Sequence, residues 1–388
     1  MSAVFERPSL WLWLWLRLRP VLLGFDLPLL AVVLALAALG MVTMYSVGYD
    51  HGTRFVDHGR NMVLAALLMF TVAQVPPQRL LALAVPLYTV GVALLVATAL
   101  FGITKKGATR WLNVGVVIQP SEILKLAMPL MLAWWFQKRE GHMRLLDFVI
   151  AGLLLLLPVA LVAKQPDLGT SLLVLSGGLY VIFFAGLSWR LIAPVMLLAG
   201  IAISAIILSG DALCQPEVQW HGMRDYQKQR VCTLLDPSTD PLGKGFHIIQ
   251  GMIAIGSGGV TGKGFMSGTQ THLEFIPERT TDFIFAAYCE EFGLLAAAGL
   301  LLGFTFLILR GLWLAAQAPT VFSRLLAGAL SLSFFTYAFV NMGMVSGILP
   351  VVGIPLPFIS YGGTAMVTLG VALGMLMSIA RSRGLMQR

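Results

Sequence analysis

The stretch TDFIFAAYCEEFGLLAAAGLLLGFTFLIL (281–309) poses the fold question. It opens beside an acid, Asp282, then runs apolar for the length of a membrane span, interrupted only by Glu290 and Glu291. A helix of about 20 apolar residues crosses a hydrocarbon core of about 30 Å. Comparable runs recur near 27–47, 61–75, 80–101, 121–137, 145–163, 168–186, 191–209, 325–348 and 361–380. The whole chain is 58% hydrophobic and 11% charged, with mean hydropathy +0.85. A soluble domain carries about 25% charged residues, so the composition excludes one, and nothing in it points to nucleic acid. The expected fold is an all-α polytopic membrane protein of about ten transmembrane helices. It forms a single integral membrane domain over 1–388, with one long loop at 210–280.

An even number of spans puts both termini on one side. That side carries Arg7, Arg17, Arg19, Arg79, Lys138, Arg139, Arg144, Arg190, Arg310, Arg324, Arg381, Arg383 and Arg388. By the positive-inside rule it is cytoplasmic. The 210–280 loop then faces the opposite compartment, and long loops translocate largely regardless of charge. The cluster at 102–125 opposes the rule, and an anionic ligand on that face would account for it. The start, FERPSLWLWLWLRLRP (5–20), alternates Trp with Leu before Arg17 and Arg19. Trp favours the interface, and no small-residue cleavage site follows. Residues 1–24 therefore read as a cytoplasmic, interfacial segment. Cys214 and Cys232 share the long loop; an oxidising compartment would allow a disulfide, but spacing does not decide between a bridge and two thiols.

Several constellations stand out. In ITKKGATRWLNVGVVIQPSEILKLA (103–127), Pro120 suits a helix start, and Glu122 and Lys125 share a face at i,i+3. A charge such as Lys125 costs about 2.5–3.5 kcal/mol at a membrane helix centre, less near the mouth; function is the favoured reading over a plain ion pair. In AKQPDLGTS (163–171), Lys164 and Asp167 flank Pro166 and read as a turn with an exposed charge pair. GSGGVTGKG (256–264) is not a phosphate loop: the pattern needs Gly where Ser257 stands and Ser or Thr where Gly264 stands. Its glycines allow tight turns, and Lys244, Lys263 and Arg279 are candidate phosphate contacts.

With a helix starting near Thr281, Asp282 lies in its first turn. Glu290 then falls about 80° around and about 12 Å deeper, with Glu291 on the face opposite Asp282. In NMGMVSGILPVVGIPLPFISYGGTAM (341–366), Pro350, Pro355 and Pro357 break helical continuity. Non-helical backbone at membrane depth must be covered by protein or line a cavity, which makes Ser360, Gly362 and Gly363 cavity candidates with Lys164 and Asp167.

Five stretches together resemble the SEDS family (shape, elongation, division and sporulation): GATRWLNVG with QPSEILKL, KQPDLGTS, DPLGKGFHIIQGMIAIGSGG, FIPERTTDFIFAAYCEEFG and GILPVVGIPLPFISYGGTA. They run from 107 to 365 in family order, and the pieces in 240–278 resemble the rod-shape branch more than the division branch. The resemblance implies a peptidoglycan glycosyltransferase of the bacterial inner membrane. It would polymerise lipid II with a class B penicillin-binding protein as partner, among other elongation proteins. It implies Asp282 as the essential carboxylate, and Arg110, Trp111, Glu122, Lys125 and Glu274 as further site residues, beside Lys263, Glu278 and Arg279. The family commonly carries His where Thr280 stands, which puts that position's role in question here.

Chemically, a carboxylate base at Asp282 would deprotonate the acceptor GlcNAc 4-hydroxyl, helping by about 10²–10⁴-fold. The pyrophosphate leaving group needs charge neutralisation, from Arg110, Lys125, Lys263 or Arg279, or from a divalent cation such as Mg or Mn. A lipid II flippase and a non-enzymatic scaffold are the alternatives; the first fits charged groups on broken helices, the second needs neither Asp282 nor Lys125.

Overall fold

The computed structural model describes residues 25–386 apart from 51, 106–107, 114, 116, 216, 219, 221–224, 241–242 and 277. The interfacial segment expected at 1–24 lies outside the described residues. Helices stand at all ten expected positions: α1 (Leu27–Val47), α2 (Arg54–Ala73), α3 (Pro77–Phe101), α4 (Pro120–Gln137), α5 (Leu145–Lys164), α6 (Leu168–Phe184), α7 (Trp189–Leu208), α10 (Ile284–Ala316), α11 (Val321–Val345) and α12 (Gly363–Met386). The long loop adds α8 (Asp225–Leu235) and α9 (Lys244–Ser257). Among the described residues seven helices, α1, α3, α5, α7, α10, α11 and α12, are long and apolar enough to cross a membrane. The other three are shorter or charged: α2 carries Arg54, Asp57 and Arg60, α4 carries Glu122 and Lys125, and α6 has 17 residues.

One element departs from the all-α expectation. Between α3 and α4 the chain forms a small antiparallel sheet of β1 (Ile103–Lys105), β2 (Ala108–Asn113) and β3 (Val117–Ile118). Its β-branched residues suit a strand, but the runs are too short for periodicity to reveal. The sheet fixes Arg110 and Trp111 on β2, with Trp111 opposite Ile103.

Helices α1 and α10 run antiparallel, tied at both ends. Asp26 caps α1 by accepting from Leu29 N at 3.0 Å, and Arg310 grips the same carboxylate with Nε at 3.0 Å and Nη2 at 2.8 Å. At the other end Ser46 Oγ donates to Glu291 at 2.5 Å. Glu290 and Glu291 are therefore near the end of the span, not deep in it, and the sequence expectation is corrected. The reason is Gly293, whose φ of 73° breaks α10.

The glycine-rich run fills that break. Lys263 N and Gly264 N donate to the carbonyls of Glu290 and Glu291 at 3.0 and 2.9 Å, while Leu294 N and Leu295 N donate to Gly259 and Val260 at 2.9 and 3.2 Å. A Cβ on Gly262 would meet Glu291 O at 2.2 Å, and one on Gly293 would meet Gly262 N at 2.3 Å. The glycines thus permit two backbones to cross. They replace the hydrogen bonds the helix loses, which apolar surroundings require.

Glu290 completes the joint. Its buried carboxylate accepts from Lys263 Nζ at 2.7 Å, Thr269 Oγ1 at 3.1 Å, Gln270 N at 2.9 Å, and Thr271 N and Oγ1 at 3.2 and 3.1 Å. Its neighbour Glu291 meets His272 Nε2 at 3.4 Å. Farther out, Cys214 and Cys232 are joined as a disulfide, so the pairing left open by spacing is made. Removing one partner of a buried pair costs about 3–5 kcal/mol; Lys263 keeps 25% exposure, which favours the lower end. Glu290→Ala should therefore destabilise the protein by about 3 kcal/mol, read as a lower unfolding midpoint in detergent. An unchanged midpoint would remove Glu290 as the anchor of the loop.

Candidate active site

The site grows from the turn that precedes α10. Asp282 lies just before the helix starts at Ile284, rather than inside its first turn. Three successive carbonyls of this turn are captured by donors from elsewhere in the chain. Thr280 O accepts from Tyr361 N at 2.9 Å, Thr281 O from Ser360 Oγ at 2.7 Å, and Asp282 O from Asn341 Nδ2 at 3.0 Å. Glu278 closes the turn from behind: its Oε2 accepts from Thr281 Oγ1 at 2.8 Å, and its carbonyl accepts from Phe283 N at 3.2 Å.

The proline-rich segment after α11 supplies two of those donors. It is buried at Ile354, Leu356, Phe358, Ile359 and Ser360, as backbone at membrane depth must be. It reaches two turns inside the end of α1, since a Cβ on Gly40 would meet Phe358 O at 2.1 Å. Its Gly353 has φ 75° and faces Asp282: a Cβ there would stand 3.3 Å from Asp282 Oδ2.

The same segment rests on the start of α6. A Cβ on Gly169 would meet Val352 O at 2.8 Å. Asp167 caps α6 by accepting from Thr170 N at 3.1 Å, and it takes Gln119 Nε2 at 3.0 Å and Arg110 Nη1 at 3.8 Å. Arg110 also donates to Pro166 O at 3.2 Å. The exposed charge pair expected at 164–167 is thus corrected: Lys164 is exposed, but Asp167 is 6% exposed and paired with the strand arginine.

On the inner side of the site, Lys125 binds Glu122 at 2.6 Å, and Thr368 Oγ1 donates to the other Glu122 oxygen at 3.1 Å. The Lys125 ammonium lies 5.5 Å from the Tyr337 ring and lines a narrow cavity with Leu173, Ser333, Tyr337 and Thr368. Gly363 opens α12 against Asn61, and Gly362 lies beside Pro355.

Other expected site residues are engaged elsewhere. Lys263 serves Glu290. Arg279, 2% exposed, pairs with Asp50, donates to Val47 O at 3.2 Å and stands 3.8 Å from the exposed Glu274. Both cations are thus neutralised by protein carboxylates. The Lys244 side chain lies outside the described residues.

Sequence reasoning missed four contributors. Arg230, on α8, donates to Val351 O at 2.8 Å, one residue before the stretch that flanks Asp282. Arg54 donates to the buried Thr280 hydroxyl and lies 5.4 Å from the Tyr361 ring; Thr280 is thus a hydrogen-bonded element of the turn. Thr368 and Asn341 are the others. Asn341 had a legible signal, a polar side chain inside an apolar helix; the arginines act across long separations that sequence does not reveal. Among the described residues, no three His, Cys, Asp or Glu side chains gather as metal ligands.

Residues 26–384 match the family described as Cell cycle protein, which groups FtsW, RodA and SpoVE. The chain belongs to the SEDS family. Among its SEDS relatives, the peptidoglycan glycosyltransferase MrdB of Escherichia coli is 47% identical over 94% of this chain and 95% of its own length. The peptidoglycan glycosyltransferase RodA of Treponema pallidum is 31% identical over 92% of this chain and 97% of that protein. A solved chain from a peptidoglycan synthase complex that coordinates polymerization and crosslinking superposes with TM-score 0.75 at 34% identity, covering 92% of this chain and 98% of that one. The rod shape determining protein RodA of Thermus thermophilus superposes with TM-score 0.67 at 28% identity, covering 92% and 97%.

The contact at Gly353 generates a prediction. Alanine there must adopt a left-handed φ and push against Asp282 Oδ2. Misplacing a reacting group by about 1 Å costs about 10²-fold, so the smaller shift forced by Gly353→Ala should slow glycosyl transfer about tenfold. Polymer formation by the purified variant checks this; a wild-type rate would show that the Gly353–Asp282 spacing does not govern turnover.

Proposed function

We propose that this chain is a peptidoglycan glycosyltransferase that polymerises lipid II during cell elongation, with Asp282 as the base. The observation that carries the reading is the Asp282 carboxylate fixed against Gly353, in a turn whose three carbonyls are all held. The naming of the MrdB and RodA relatives, at the identities and coverage stated, supports the same reaction.

Asp282 accepts the proton of the acceptor GlcNAc 4-hydroxyl as that oxygen attacks the donor's anomeric carbon. The new glycosidic bond forms, the bond from that carbon to the pyrophosphate oxygen breaks, and undecaprenyl pyrophosphate leaves with the electron pair. The proton on Asp282 then passes to water. A positioned base contributes about 10²–10⁴-fold. Arg230, which donates to Val351 O two residues before Gly353, and Arg110, which donates to Pro166 O beside Asp167, are candidates to stabilise the departing charge. The buried Lys125–Glu122 pair braces α4 against α11 and α12.

The arrangement belongs to an inner-membrane protein with cytoplasmic termini and a periplasmic site. The basic residues of the short loops support that orientation, and the Cys214–Cys232 disulfide suits an oxidising compartment. A class B penicillin-binding protein is the expected partner, supported by the likeness to a polymerising and crosslinking complex.

Asp282→Asn, purified with its partner and given lipid II, should lose at least about 10²-fold in polymerisation rate while still binding the partner. Polymer at the normal rate would remove Asp282 as base. Transfer of lipid II between leaflets without polymer would favour a flippase.

A further inference from the structure

Asn341 lies on α11, one turn before that helix ends at Val345, and is fully buried. Its Nδ2 donates to Asp282 O at 3.0 Å and to Ile354 O at 2.8 Å. A carboxamide nitrogen carries two hydrogens, so both are used, and both acceptors are main-chain carbonyls. An oxygen in that place would face two acceptors, which fixes the orientation of the amide.

The two carbonyls belong to the two segments that frame the reactive group. One is the turn that carries Asp282; the other adjoins Gly353, where a Cβ would stand 3.3 Å from Asp282 Oδ2. Asn341 is thus one side chain that sets the spacing between the carboxylate and the wall it rests on. Its Oδ1 is buried without a protein partner. Such an acceptor carries a desolvation cost that an aliphatic side chain would avoid, so packing alone does not explain an amide here.

Position on the helix extends the argument. Tyr337, four residues earlier, shares the face of Asn341, and its ring lies 5.5 Å from Lys125 Nζ. One rigid face of α11 therefore touches both the Lys125–Glu122 pair and the Asp282 turn.

We propose that Asn341 is a positioning residue for glycosyl transfer: by bridging the carbonyls of Asp282 and Ile354 it aims the Asp282 carboxylate without touching substrate. The proposal rests on Asp282 as base. Asn341→Asp keeps the shape, removes both donors and sets a new acceptor against two carbonyls. Asn341→Ser keeps one donor.

The experiment is steady-state polymerisation of lipid II by the full-length protein with its partner, reading kcat and KM separately, with unfolding midpoints alongside. A displacement near 1 Å costs about 10²-fold, so kcat of Asn341→Asp should fall by about 30-fold or more, with KM within about twofold of wild type. Asn341→Ser should fall between the two in kcat, and it carries the test alone if the Asp variant fails to fold. Wild-type kcat in the Ser variant, or a loss confined to KM, overturns the proposal. If Asp282→Asn is inactive while the Asn341 variants keep their kcat, the positioning role fails and the base stands. If Asp282→Asn polymerises normally, both fail together.

Discussion

Three consecutive carbonyls, those of Thr280, Thr281 and Asp282, are held by Tyr361 N, Ser360 Oγ and Asn341 Nδ2, and the site depends on that capture. A backbone carbonyl left unpaired in an apolar setting costs several kcal/mol, so a turn that is neither helix nor strand survives there only with dedicated donors. The proline-rich segment cannot supply all of them from its own backbone, because Pro355 and Pro357 have no N–H. A serine hydroxyl and an asparagine amide make up the deficit. Close backbone approaches at Gly40 and Gly169 seat the segment against α1 and α6, and Gly353 then faces the Asp282 carboxylate.

The same constraint acts a second time at Gly293. There the long helix breaks, and the turn-rich run 258–264 donates and accepts in place of the missing helical bonds. The two irregular joints divide the charged residues between them. Lys263, Glu290, Glu291 and His272 hold the loop to the break in α10. Arg230 holds Val351 O, while Arg110, Asp167 and Gln119 meet at the start of α6, where Gly169 faces Val352 O. The loop anchor and the flank of Asp282 thus use different residues: the first set falls within 263–291, whereas the second comes from 110, 119, 167 and 230.

The helices were legible because apolar length is a local property, and so were the Glu122–Lys125 pair and the need to cover 350–362. Glu290 and Glu291 were misplaced because helical periodicity was carried through Gly293, whose partner is a glycine-rich run some 30 residues earlier in sequence. That run showed its flexibility but not the backbone it crosses. Asp167 read as exposed because its partner, Arg110, comes from a short strand on the far side of two helices. Lys263 and Arg279 read as phosphate contacts because Glu290 and Asp50 are close only in the fold. Local chemistry was readable; pairings across long separations were not.

Which group faces the nucleophile is read most directly from the structure of the Asp282→Asn protein with lipid II bound in the acceptor position. The account predicts the GlcNAc 4-hydroxyl within about 2.6–3.2 Å of the residue 282 side chain, the reach required of a base, with the donor pyrophosphate toward Arg110 and Arg230. Density that puts the acceptor sugar against another carboxylate, with residue 282 turned away and still held by Asn341, would contradict it.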